Sequence, residues 1–420
     1  MDILFIRPKI PKESKTLRKK LFEVFHPSLT FEQISSITPK HCNIDFIDER
    51  FKKIDFDWDG DLVAITSLTV EAKRAYEIAD KFKSRGKRVV LGGYHPSALP
   101  EEAKQHADAV VIGEAEETWP QLLRDFENGK LKPFYRCLKP PDMKSLPIPD
   151  RRLHRGVRFS AAVQGSRGCP VRCEFCAISN TNYGHIFRSR RIEDIIAEIK
   201  TLKEKYIFFL DPNITANPSY AKSLFKEMIG LNKKFKCFGN IHVLERDEEL
   251  LKLAAEAGCS LWFVGFETFS QEALDRLGKR NVVNRYKTAV RKIHDYGMEV
   301  FASFIFGFDE DRKNVFETTL EKINEIEVDI VSFSILTPYP GTSLFLRLEK
   351  EKRILTRDWS KYDEDHVVFQ PKNMSPYELL FGTEYVRKEA CSFNGTLRRL
   401  LKAKRMEVIL KIGRRPFLYL

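Results

Sequence analysis

The sequence predicts an α/β protein: two consecutive strand–helix series, the second a barrel or partial barrel, and then a small, mainly helical C-terminal region. Three observations carry this. Short apolar runs alternate with polar stretches of helical period through residue 130. The stretch LKPPDMKSLPIPDRRL, with four prolines in 16 residues, then breaks the alternation. Six further strand–helix units come after it.

In the first series the candidate strands are MDILFI, CNIDFID, LVAITS, RVVLGG and AVVIG. VEAKRAYEIADKFKSRG separates two of them with a helical apolar period and a closing glycine, the pattern of a parallel sheet covered by helices. Ligands of such sheets sit at the carboxyl ends of the strands. TSLTV, GGYHPS and GEAEE fall there, and their glycines admit a ligand or simply make a turn. No G-x-G-x-x-G follows the first strand, so a nicotinamide or flavin fingerprint is absent. Residues 138–157 read as a proline-rich linker between units 1–137 and 158–355. The second series has strands SAAVQG, KYIFFLD, KCFGNI, SLWFVGFE, VFASFIFGF and DIVSFSILT, and residues 356–420 form the helical, basic appendage.

The chain has 420 residues, 43% hydrophobic and 31% charged, enough for two or three domains with real cores. No run of 18 apolar residues occurs and the N-terminus reads as a strand, so neither a membrane span nor a signal peptide is expected. Eight cysteines, five of them scattered, do not make a disulfide framework and fit a reducing cytoplasm. The net charge is +12, and residues 391–420 contribute eight Lys/Arg against one acidic residue. This basic region suits an acidic protein, an anionic lipid surface or nucleic acid, or is a solvated amphipathic helix. No aromatic-rich nucleic-acid motif accompanies it, so no specific nucleic-acid partner is expected.

Chemistry concentrates in GSRGCPVRCEFCAIS, just after the first strand of the second series. Its spacing is Cys169-x3-Cys173-x2-Cys176, with Phe175 before the last thiol. Thiolates at this density favour zinc or an iron–sulfur centre. Structural zinc wants four ligands; Cys137 and Cys237 are distant, and only His185 could complete a Cys3His set. An iron–sulfur cube held by three cysteines keeps one iron open to bind a cofactor and pass it an electron. Gly165 and Gly168 either shape this loop or only end the strand.

CPVRCEFC resembles the CxxxCxΦC motif of the radical S-adenosylmethionine (SAM) superfamily. The resemblance implies a [4Fe-4S] cluster on Cys169, Cys173 and Cys176, with SAM chelated at the open iron and cleaved to a 5'-deoxyadenosyl radical. FLDPN, with Asp211 and Asn213, stands where members carry a SAM-contacting segment. VGFET followed by LDRLGK resembles the subgroup's G-x-E-(S/T)…L…K pattern, which places Glu267 near SAM. FIFGFDED, with Gly307 and Asp309, and LTPYPGT match segments that line the pocket and substrate channel. Tyr339, Trp359 and Tyr362 either line that channel or belong to the core.

LGGYHPSALPEEA…ADAVVIGEAEETWPQLL resembles the cobalamin-binding domain of the B12-binding radical SAM subgroup. Together the two resemblances imply an N-terminal Rossmann-like cobalamin-binding domain, then a partial (β/α)6 radical SAM TIM barrel. Ser67, Leu68 and Thr69 would lie under the corrin; Gly92, Gly93 and His95 would lie by its nucleotide tail, and Gly113 and Glu114 would bound the pocket. The D-x-H-x-x-G segment that supplies a cobalt-ligating histidine in mutases is absent, so cobalamin is expected without a protein histidine ligand. The implied activity is C-methylation of an unactivated carbon, with SAM as methyl source through methylcobalamin and as radical source, and ferredoxin or flavodoxin as electron donor. A protein or peptide side chain is the expected substrate, on the precedent of relatives that methylate glutamine or arginine in a methanogenesis enzyme. The alternatives are a radical SAM oxidoreductase, cyclase, coupling enzyme or methylase acting on a lipid, hopanoid or pigment, and remotely a non-enzymatic iron–sulfur protein.

Overall fold

A computed structural model describes residues 1–10, 29–153, 159–392 and 395. Six parallel strands form the first sheet: β1 (Asp2–Arg7), β2 (Asn43–Asp48), β3 (Leu62–Thr66), β4 (Arg88–Gly92), β5 (Ala109–Ile112) and β6 (Phe134–Arg136), in spatial order β2-β1-β3-β4-β5-β6. Each of β1, β3, β4 and β5 is buried over nearly its whole length, as strands covered on both faces must be. Ile65, Val89 and Leu91 pack to one side, against the helix Ala72–Lys83. Phe5, Val90 and Val111 pack to the other, under Trp119 and Leu122. The sixth strand has little sequence signal: it is three residues long and only its Tyr135 is buried.

The second sheet runs β7 (Ser160–Val163), then β10 (Tyr206–Phe209), β11 (Lys234–Gly239), β12 (Cys259–Glu267), β13 (Glu299–Phe306) and β14 (Ile330–Ile335), all parallel and in sequential spatial order. Its ends, β7 and β14, do not pair, so the barrel is partial. Between β7 and β10 the chain makes a clip of two short antiparallel strands, β8 (Ser166–Arg167) and β9 (Arg188–Ser189), and the cysteine loop lies between them.

Two devices join the sheets. Arg151, in the proline-rich connection, bridges the buried carboxylates of Glu32 in the first domain and Glu198 in the barrel, and donates to the Ala162 carbonyl at 2.7 Å. The second is the C-terminal segment, which packs into both domains. Phe345, Trp359, Tyr362 and Val368 enter the core of the first domain, whereas Phe369, Leu379 and Val386 enter that of the barrel. The basic residues 396–420 lie outside the described residues. Among the described residues no helix is long and apolar enough to cross a membrane.

Removing Arg151 takes one partner from each of two buried carboxylates, of which Glu198 keeps Arg190 at 2.5 Å, so the loss is at most about 3 kcal/mol. Chemical denaturation of Arg151→Ala should show that decrease. A second expectation concerns Asp311, which accepts from the Gly307 and Phe308 amides at 2.8 and 3.0 Å and is pushed up to about 7 by burial. A folded-state value above the unfolded one favours the protonated form. Its contribution is therefore complete below pH ~4 and lost as pH rises through about 7. Asp311→Asn should flatten that part of a melting-temperature profile against pH.

Candidate cofactor and active site

The cysteine loop leaves β8 at Gly168, whose φ is +83°; a Cβ there would overlap the Ile186 carbonyl oxygen. Only glycine lets the loop close on itself there, which answers whether Gly168 shapes the loop. The Cys169 amide donates to the Gly184 carbonyl at 2.8 Å, and the Asn180 amide group donates to the Cys173 and Cys176 carbonyls at 3.0 and 2.9 Å. Glu174, inside the motif, pairs with Arg347 at 2.9 Å, and Arg347 also reaches Asp309 at 2.8 Å. Arg276 and Arg353 hold the same Asp309 at 3.0 and 2.8 Å. Burial raises the Asp309 carboxyl, but these arginines outweigh it and hold it at about 2. Asp309 is therefore an anchor of the loop's far side and is not among the cavity-lining residues.

Cys169, Cys173, Phe175 and Cys176 form one wall of a cavity of about 820 Å³ at the carboxyl ends of the barrel strands. Phe238, Phe263 and Phe301, which cluster on the inward face of the barrel, also line it, together with Ser303, Ser332 and Ser334. Ligands of one metal ion sit about 4 Å apart. Among the described residues His41, Cys42 and Glu127 approach that, within 4.8 Å, at the far end of the first sheet, and the three loop cysteines do not. Burial pushes the Cys173 thiol up to about 12, so its thiolate forms when it bonds iron.

Asn213 lines the cavity and its amide donates to the Cys169 sulfur at 3.8 Å, while Thr215 donates to its carbonyl at 2.8 Å. Glu267 also lines it, on a residue with φ +65° next to a register shift in β12, an arrangement that re-aims a strand-end side chain. Its carboxylate pairs with Lys279, which also donates to the Gly265 carbonyl at 3.2 Å. Burial disfavours the Lys279 ammonium, but Glu267 and the cysteine sulfurs outweigh this and keep it charged.

Two expected SAM contacts lie elsewhere. Asp211 is fully buried and accepts from the Gly165 amide at 2.9 Å and the Ser166 hydroxyl at 2.6 Å, so it ties β10 to the base of the loop. Burial pushes it up to about 6 despite those bonds. Gly307 lies against Leu379 and Phe369 of the C-terminal segment, away from the cavity lining.

The carboxyl ends of the first sheet meet those of the barrel. Tyr94, after β4, donates to the Pro340 carbonyl at 2.9 Å, and its ring meets Tyr339 at 6.4 Å. Glu114, after β5, pairs with Arg167 and Arg188 of the clip at 2.6 and 2.5 Å, and Glu116 also holds Arg167 at 2.6 Å. Both carboxylate oxygens of Glu114 are thus engaged in joining the domains. Burial raises its carboxyl, but the arginines outweigh this and hold it below the usual range.

Beside this junction, Ser67 and Thr69 are buried with hydroxyls that have no partner among the described residues, while Leu68 between them is half exposed. Gly93, with φ +99°, brings the chain against Ser67, where a Cβ would meet the Ser67 carbonyl at 2.8 Å. Gly92 precedes it, and the Gly113 amide donates to the Ser97 hydroxyl oxygen at 2.9 Å. His95 is buried between Tyr76 and Trp359, with Nε2 3.1 Å from Glu102 and Nδ1 without a hydrogen-bond partner among the described residues. Trp359 and Tyr362 are core. Orphan hydroxyls beside an exposed apolar side chain at a strand end fit a large ligand with polar edges, such as a corrin.

The sequence profile of the Radical SAM superfamily matches residues 163–323, and that of the B12 binding domain matches residues 36–123. The chain is 32% identical over 387 residues to the bacteriochlorophyllide d C-12(1)-methyltransferase of Chlorobaculum tepidum, covering 89% of this chain and 84% of that protein. This chain belongs to the cobalamin-binding radical SAM superfamily. The C-8(2)-methyltransferase of the same organism is 33% identical, covering 85% of this chain and 83% of that one. The hopanoid C-2 methylase of Rhodopseudomonas palustris is 27% identical, covering 80% and 66%. Among solved structures, the cobalamin-dependent SAM radical enzyme OxsB has the same fold, with a TM-score of 0.72, 15% identity and coverage of 99% of this chain and 71% of that one. As a cobalamin-binding radical SAM enzyme the chain uses a [4Fe-4S] cluster, SAM and cobalamin, and is of methyltransferase type or a related oxidoreductase or cyclase.

Lys279 is the lysine of LDRLGK, to which the sequence gives no separate role; the Phe238–Phe263–Phe301 wall, and Glu364 and Arg387, which also line the cavity, are not singled out by sequence. Part of the signal is present: in VSFSI the serines alternate with buried residues, so one face of β14 is polar.

Anaerobically reconstituted Cys176→Ala should lose iron and SAM cleavage together. Asn213→Leu should keep its iron, but its midpoint potential, read by EPR titration, should fall because a donor to a cluster sulfur is gone.

Proposed function

We propose that this enzyme is a C-methyltransferase acting on an unactivated carbon of a ring-bearing pigment or lipid. The observation that carries this is the apolar wall of the cavity formed by Phe238, Phe263 and Phe301. A peptide brings one backbone donor and one acceptor per residue, and this wall offers few partners for them. A flat, apolar ring system with a few polar edges needs few. The bacteriochlorophyllide and hopanoid substrates named for the relatives have that character, so the protein side chain gives way to the pigment or lipid alternative.

When bound, the cluster with SAM supplies the hydrogen-abstracting radical and cobalamin supplies the methyl group. The residues of the chain hold and orient. Cys169, Cys173 and Cys176 ligate the cluster, and Asn213 donates to one of its sulfurs. Glu267 and Lys279 offer an acceptor and a donor to the zwitterionic end of SAM. Ser67, Leu68, Thr69, Gly92 and Gly93 seat the corrin where the two domains meet. The phenylalanines keep water from the reacting carbon. Glu364, bonded by Ser334 at 3.0 Å and Tyr339 at 3.2 Å, gives the far end of the cavity an acceptor for a substrate N–H or O–H.

The test is anaerobic turnover of the cobalamin-loaded enzyme with SAM and reductant, offering bacteriochlorophyllide d, a hopanoid and a synthetic peptide mixture. Mass spectrometry should find 5'-deoxyadenosine together with a pigment or lipid heavier by one CH2. Deoxyadenosine with an altered but unmethylated pigment would favour the cyclase or oxidoreductase reading. Methylation of peptide alone would overturn the substrate class.

A further inference from the structure

The C-terminal helix Pro376–Cys391 has two contrasting faces. Leu379, Thr383 and Val386 are fully buried, and Leu379 and Val386 belong to the barrel core. On the other side Tyr377, Phe381 and Tyr385, spaced i, i+4, i+8, are 65%, 55% and 47% exposed. The rings of Tyr377 and Phe381 lie 4.6 Å apart, so the first two form one continuous apolar surface. A single exposed aromatic needs no explanation, but a row along one helix face does. Glu384, Lys388 and Glu389 share the exposed side and leave it close to neutral.

The sequence from the end of this helix onward supplies charge of one sign. Residues 391–420 hold eight Lys/Arg and one acidic residue, interleaved with Leu, Ile, Val and Phe and closing on RRPFLYL. Exposed tyrosine and phenylalanine followed in sequence by a basic, apolar stretch are the two components of binding to an anionic bilayer: rings for the headgroup boundary and cations for the lipid phosphates. The same helix also reaches the cavity. Arg387 lines it and donates to the Phe333 carbonyl at 2.7 Å.

We propose that the Tyr377–Phe381–Tyr385 face docks on an anionic membrane surface, with the basic C-terminal residues adding electrostatic attraction. Docking would set a wall of the substrate cavity beside the lipid phase, where poorly soluble ring systems partition. Vesicle binding needs no substrate or turnover. It can therefore fail while the pigment or lipid reading stands, on which only the purpose of docking rests, and the reverse also holds.

The experiment is co-sedimentation of the full-length, cluster-loaded protein with vesicles of phosphatidylcholine alone or with roughly one quarter phosphatidylglycerol. The wild type should pellet with the anionic vesicles at least about tenfold more than with neutral ones, and less as salt rises. Combined Tyr377→Ser, Phe381→Ser and Tyr385→Ser substitutions should reduce the anionic-vesicle partition at least about tenfold, with circular dichroism and melting temperature unchanged. Should that variant unfold, Phe381→Trp is the second reading: binding should persist and its indole emission should shift to the blue on vesicle addition. Three results would overturn the proposal. The wild type fails to bind anionic vesicles; or binding is unaffected by the aromatic substitutions; or the wild type is a dimer, the variant a monomer, and neither binds vesicles, which would give this face to a second copy of the chain.

Discussion

The active site depends on one set of ion pairs, those of Glu114 and Glu116 with Arg167 and Arg188. The arginines are the two sides of the clip from which the cysteine loop springs; the glutamates belong to the strand end that bounds the cobalamin domain. Two cofactors on separate domains can cooperate only if their separation is held. A charged pair at the base of the loop does this directionally, since each arginine presents its donors in a fixed plane. Partial burial strengthens the pairs and also makes any unpaired state costly, so the arrangement has little alternative.

The loop is held from its other side as well. Arg347 and Arg276 connect Glu174, within the motif, to Asp309 beyond β13, and Asn180 links the cysteine carbonyls to Ser343. The cysteines are thus fixed by charge and backbone bonds at their rim, leaving the inward side for cofactors. Among the charged groups that line the cavity, the buried Lys279 and Glu267 pair with each other.

Much of this is legible in the chain. Eleven of the strands are readable, some as unbroken apolar runs and others, such as β2 and β14, as alternating patterns, and the cysteines because their spacing has few other uses. Legibility fails where a strand-end residue has two directions to point. Asp211 and Asn213 are two apart in FLDPN, yet one bonds the loop base and the other faces the cavity. Glu114 lies at the edge the sequence indicates but with unforeseen partners, because its arginines are more than 50 positions away. The cavity wall is hidden for a related reason: Phe238, Phe263 and Phe301 come from three different strands, and only the assembled barrel brings them together.

The return of the C-terminal segment into the first domain has a consequence for synthesis. Domains of a growing chain usually fold from the N-terminus as they leave the ribosome. Here Trp359, Tyr362 and Val368 complete a core whose strands lie within the first 136 residues. The cobalamin domain therefore emerges with part of its core still unfilled, and keeps that apolar face open until almost the entire barrel has been translated. The two cofactor modules mature together, once residues 359–368 have been made.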